Sequence, residues 1–170
     1  MAAAFNLDPA SRDFFTTILE SVTRRIAGSA QVTGLTRAPL MEAISEVVAA
    51  AARDAFEKGG DVVPSTKAII MGVVRGSGAT KDAALQILSH SARIIIHHSA
   101  ERNGNLAAAV KGVILGAIAS ARMMGVETAK AASTAAQGAL EGASEAGSVT
   151  VERALGALKE PVMLPQPLAN

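Results

Sequence analysis

Apolar residues recur at helical spacing along most of the chain. Phe14, Phe15, Ile18, Leu19, Val22 and Ile26 fall on one stripe, and Leu40, Met41, Ile44, Val47, Val48, Ala51 and Phe56 on a second. The pattern predicts an all-α protein of about seven helices, spanning 9–29, 38–58, 61–76, 79–102, 105–123, 126–145 and 148–159. Asp8 is placed to cap the first helix, with Pro9 at its first position, where the missing N–H is not needed. Residues 30–37 read as a loop. Residues 161–170 contain three prolines and read as an extended tail beyond a single helical domain, 1–160.

The helices repeat. Gly60-Asp61-Val62-Val63, Gly104-Asn105-Leu106-Ala107 and Gly147-Ser148-Val149-Thr150 align without gaps at spacings of 44 and 43 residues. Glycine ends a helix readily in the left-handed conformation, and Asp, Asn and Ser cap the next one. Gly60, Gly104 and Gly147 are therefore expected to terminate helices with positive φ. A second junction, at Gly76-Ser77-Gly78-Ala79-Thr80 and at Met124-Gly125-Val126-Glu127, divides each unit into a shorter and a longer helix. Tandem helix pairs of this period fit either a compact bundle or a short solenoid. Gly72/Gly76, Gly112/Gly116 and Gly138/Gly142 each stand four apart on one helix face, a spacing that lets a neighbouring helix come close.

Composition sharpens this picture. Hydrophobic residues make up 49% of the 170 and charged residues 18%, yet there are four Phe and no Tyr or Trp. Ala dominates the apolar content, which favours helices and closely packed backbones. So few aromatics weaken readings that need stacking platforms for single-stranded nucleic acid. The net charge of +1 supplies no overall field toward polyanions. Residues 61–126 carry seven Lys/Arg against three Asp/Glu, spread along the helices as for a solvated face. Charge-free runs such as 26–36, 112–121 and 131–140 fall short of the roughly 18 residues a membrane span needs, and the N-terminus lacks signal-peptide character. The expectation is a cytoplasmic protein with no transmembrane segment and no nucleic-acid partner.

Candidate chemistry is sparse. With no Cys, thiol nucleophiles and Cys-based metal sites are excluded. His90, His97 and His98 share one predicted helix. His97 and Glu101, four apart, form the best metal pair, but two ligands are too few, and no Glu-x-x-His or His-Glu-x-x-His motif supplies more. No metal or other cofactor is expected. Gly76-Ser77-Gly78-Ala79-Thr80-Lys81 lacks the order of a phosphate loop and reads as a turn. Met123-Met124 reads as core filling at a helix end, and no catalytic constellation stands out.

Residues 138–158, Gly-Ala-Leu-Glu-Gly-Ala-Ser-Glu-Ala-Gly followed by Ser-Val-Thr-Val-Glu-Arg-Ala-Leu-Gly-Ala-Leu, resemble the repeating segments of Ala/Gly-rich bacterial helical proteins. Over roughly 60–160 the composition is also similar to that of phasins, although the Gly-capped helices are shorter than phasin helices. The resemblance implies an amphipathic coat on a lipid or polyester granule. The residues themselves point first to a non-enzymatic structural or protein-interaction module, associating with itself as a homo-oligomer or with another protein. A small-molecule or metal binder with its site between helices is the third reading.

Overall fold

A computed structural model of the chain describes residues 9–33, 37–58, 60–102 and 104–160. It is all-α, with no strand among the described residues. The helices are α1 (Pro9–Thr33), α2 (Arg37–Glu57), α3 (Val62–Ser77), α4 (Lys81–Glu101), α5 (Leu106–Met124), α6 (Thr128–Ala146) and α7 (Ser148–Lys159). Asp8 and the Pro-rich stretch 161–170 lie outside the described residues.

Odd-numbered helices pack side by side, α1 on α3, α3 on α5 and α5 on α7; α2, α4 and α6 form a second layer against them. A contiguous core of Ile, Val, Leu and Ala lies between the layers, with Ile26, Ile44, Ile69, Ile70, Ile95 and Ile96 among its fully buried side chains.

The i, i+4 glycine pairs set the spacing within both layers. Gly72 and Gly76 of α3 lie against α1: a Cβ on Gly72 would stand 2.9 Å from Val22 Cβ, and one on Gly76 2.5 Å from the Thr23 carbonyl oxygen. Gly112 and Gly116 of α5 repeat the arrangement against Thr66 and Ile70 of α3, and Gly138 and Gly142 of α6 lie on the Ser89 and Arg93 carbonyls of α4. Ascending residues meet ascending residues in each of these pairs, so α1, α3 and α5 run parallel, as do α4 and α6. Thr66 and Ile70 stand 44 residues after Val22 and Ile26, but Gly112 and Gly116 stand only 40 after Gly72 and Gly76. The contact therefore recurs with a slide of about one helical turn.

Several boundaries differ from the sequence expectation. α1 continues through Thr33, so Ala30–Thr33 belong to the helix and not to a loop; Ala30 is buried, and that contact rewards the added turn. The shorter–longer alternation holds for α3 and α4, with 16 and 21 residues, whereas α5 and α6 have 19 each.

The junction glycines also differ. Positive φ occurs at Gly78, Gly125 and Gly147 and not at Gly60 or Gly104. Gly78 (φ 59°) and Gly125 (φ 69°) are left-handed caps of α3 and α5, the second closed by a bond from Val126 N–H to the Ala121 carbonyl. Close approach is what constrains Gly60, whose Cβ would stand 2.7 Å from the Phe14 ring, and Gly104, whose Cβ would stand 3.1 Å from the Ser99 carbonyl. Asp61 and Asn105 cap as expected: their side chains accept from Val63 N–H (3.3 Å) and Ala108 N–H (3.0 Å). Ser148 is instead the first residue of α7, and Gly147 caps both α6 and α7.

A matched pair of substitutions tests the packing. Gly112→Ala drives a methyl into Thr66 and the Val63 carbonyl, and should destabilise by about 1–3 kcal/mol. Gly156→Ala, in α7 with nothing within 4 Å, should stabilise by about 0.8–1 kcal/mol through helix propensity alone. Urea-denaturation midpoints moving in opposite directions check both. Ser120, 44 residues after Gly76, is fully buried with no hydrogen-bond partner for its hydroxyl among the described residues. Ser120→Ala removes an unsatisfied group and should raise stability by about 1 kcal/mol, read as a higher midpoint.

Candidate interaction surfaces

The even layer is stitched by polar contacts between helices. Ser45 of α2 and His90 of α4 meet at 2.6 Å, while the Ser45 hydroxyl also donates to the Met41 carbonyl at 2.9 Å. Glu57 of α2 pairs with Arg102 at the end of α4, and Glu145 of α6 pairs with Arg93 of α4. His97 Nε2 lies 3.1 Å from Glu101 and its Nδ1 3.8 Å from Glu145, the second too long for a hydrogen bond. His98 Nδ1 lies 3.5 Å from Glu101, and the two imidazoles meet edge-on at 5.8 Å.

His97 and Glu101 are thus neighbours, as their spacing suggested, within a seam that also includes Glu145, Arg93, Glu57 and Arg102. Sequence reasoning missed these cross-helix partners. Ser45 to His90 and Glu57 to Arg102 are each separated by 45 residues, about one repeat, which was the available signal. Among the described residues no three His, Asp or Glu side chains are grouped to hold a metal ion. The Ser45–His90 contact resembles half of a nucleophile–base pair, but no carboxylate pairs with the imidazole among the described residues and the hydroxyl donates to its own helix. It works as a tie between α2 and α4.

Burial pushes the His90 imidazole below its ordinary value; Arg93 adds to this and the Met41 carbonyl opposes it. Burial likewise lowers His98, with Glu101 opposing and His97, Arg53 and Arg102 reinforcing.

The segment 76–81 is a turn: Gly76 and Ser77 end α3, Gly78 is its left-handed cap, and Thr80 precedes α4. Met123 departs from its expected core role, being 51% exposed, while Met124 packs against the core. One helix, α5, is long and apolar enough to cross a membrane by length and composition, with mean hydropathy 1.5, although no charge-free run reaches that length. In this fold 67% of that stretch is buried among α3, α4, α6 and α7, which accounts for its apolar character.

Two surface hollows are mainly apolar. One of about 530 Å³ lies between α5, α6 and α7, with Ile114, Ala136 and Leu158 in its walls and Lys111 and Glu160 at its polar positions. The other, about 350 Å³, lies beside the α3–α4 turn against Leu40, Met41 and Ile87. The terminal helix α7 buries only Ala154 and leaves Val149 and Leu155 exposed, at 68% and 40%. No protein-family model, curated protein or solved structure matches the chain.

Lowered histidines give stability a pH dependence of definite sign. The unfolded chain takes up protons near the ordinary value of 6.5, and the folded chain takes them up only at lower pH. The stabilising difference is complete above about 6.5 and is lost as pH falls from there through the lowered values. Thermal midpoints should drop over that window, and His90→Gln with His98→Gln should flatten the drop. An equally steep drop in the double variant would assign the acid sensitivity to the carboxylates.

Proposed function

We propose that the chain is a non-enzymatic structural or protein-interaction module whose open end, at α7, associates with a second copy or another protein. The observation that carries this reading is the exposure of Val149 and Leu155 on a terminal helix that buries a single residue. Interior helices of the stack are covered on two sides, by neighbours in their own layer and by the other layer. α7 has α5 on one side and α6 beneath, and the next place in its layer is vacant among the described residues. Terminal elements of stacked helical arrays ordinarily carry a polar outer face, so apolar side chains here mark a contact surface. A second reading, a small-molecule binder, is supported by the groove of about 530 Å³ between α5, α6 and α7.

Sedimentation of the purified chain from micromolar to submillimolar concentration tests the leading reading. The expected outcome is reversible association that Val149→Glu with Leu155→Glu abolishes, leaving a species near 17.2 kDa. A single 17.2 kDa species at all concentrations would remove self-association and leave a different protein as the partner.

A further inference from the structure

The two layers differ in charge. Helices α1, α3, α5 and α7 carry nine Lys/Arg against three Asp/Glu, while α2, α4 and α6 carry five against eight. Neither α3 nor α5 contains an acidic residue. The small net charge of +1 therefore hides a basic layer and an acidic one, with the residues outside the helices supplying the remainder. The separation is invisible along the chain, because basic and acidic helices alternate.

On the outer side of the odd layer the cations form a patch. Lys67, Met71 and Arg75 follow one another at i, i+4, i+8 along α3, and the exposed Lys111 and Arg122 stand eleven residues, about three turns, apart on one side of α5. Arg24 of α1 and Arg75 of α3 line one shallow hollow of about 270 Å³, with Glu20 as the carboxylate beside them. Lys67 lies 5.8 Å from the centre of the Phe15 ring and feels Arg122, whose charge lowers its pKa after the larger effect of burial.

The layers also differ in how their charges are met. In the even layer Glu57, Glu145 and Asp54 are paired with Arg102, Arg93 and Lys58, and Glu101 meets both His97 and His98. In the odd layer Arg24, Arg75, Lys111 and Arg122 form no ion pair among the described residues. That contrast weighs against a second copy as the occupant: half of the even layer's eight acidic groups are met by its own side chains, leaving Glu42, Glu46, Asp82 and Glu141 to face the nine cations of the odd layer. It favours an external polyanion.

The geometry points to an anionic lipid bilayer as the ligand of the face formed by Arg24, Lys67, Arg75, Lys111 and Arg122. Parallel helices lying side by side present these cations on their flanks, which suits a broad surface better than a nucleic-acid groove. The half-buried Met71 lies between Lys67 and Arg75 on α3, and the exposed Met123 follows Arg122 on α5. The face has no aromatic platform of the kind that holds single-stranded nucleic acid. A bilayer rich in acidic lipid attracts each adjacent cation by about 1 kcal/mol, or about fivefold in partitioning. Lys111 also borders the groove against α7, but Val149 and Leu155 are not among the substituted cations, so the two sets of variants separate lipid binding from self-association.

Co-sedimentation with phosphatidylcholine vesicles, with and without phosphatidylserine, tests the assignment. The chain should sediment with the phosphatidylserine vesicles alone, and raising salt to about 1 M should release it. Arg75→Gln with Lys111→Gln and Arg122→Gln should weaken binding on the order of a hundredfold. Glu42→Gln with Glu46→Gln, on the even layer, should leave it unchanged. All five positions are exposed, and an unaltered helical circular-dichroism signal confirms that the variants fold. Equal sedimentation with both vesicle types, no sedimentation with either, or insensitivity to the triple substitution would overturn the assignment. So would tighter binding to duplex DNA than to vesicles at equal phosphate concentration, which would make the face a nucleic-acid surface.

Discussion

Backbone-to-backbone approach at three glycine pairs is the constraint on which this fold depends. Gly72/Gly76, Gly112/Gly116 and Gly138/Gly142 each remove the side chains that would hold a helix away from the one two places earlier. Helices brought this close leave little depth between them for large rings, so the core is Ala, Val and Ile with few aromatics. Each small side chain buries little area, and stability has to come from many short contacts. Tight packing also explains buried Ser77, Ser91, Ser99 and Ser120, residues of nearly alanine size. Ser77 satisfies its hydroxyl by donating to the Val74 carbonyl at 2.9 Å, whereas Ser91, Ser99 and Ser120 find no partner among the described residues and hold their places by volume.

Helix positions, the Asp61 and Asn105 caps and the glycine pairs were legible in the sequence because each is set within one helix or one turn. The conformations of the junction glycines were not. Gly60 and Gly78 both sit beside helix ends, but Gly78 is there for its left-handed φ and Gly60 because the Phe14 ring leaves no room for a methyl. That second reason joins residues 46 apart and has no local signature. The polar seam was hidden similarly. His97 and Glu101 were visible as an i, i+4 pair, while Glu145 comes from another helix and Glu57 reaches Arg102 from α2.

Alternation of helix pairs in the chain becomes segregation of layers in space, and this converts a chemically bland sequence into a molecule with two unlike faces. An acidic residue on α2 is close in sequence to a basic one on α3, yet the fold sends them to opposite sides. The even layer uses its charges internally, tying α2 to α4 and α4 to α6. The odd layer shows no ion pair between its helices among the described residues; glycine contacts hold α3 to α1 and α5 to α3, as they also hold α6 to α4. Arg24, Arg75, Lys111 and Arg122 are left without an ion pair there.

The repeat also explains why the last helix behaves differently. Four residues, 58–61, join α2 to α3, and four, 102–105, join α4 to α5; Gly147 alone joins α6 to α7. Gly156 shows the consequence. It stands 44 residues after Gly112, which presses on Thr66, yet it faces open space, and Ala154 meets the core in its stead. The packing glycine persists in the sequence while the shortened junction points it elsewhere. Val149 and Leu155 are exposed on this same helix, so the apolar end of the stack coincides with its shortest odd-helix junction.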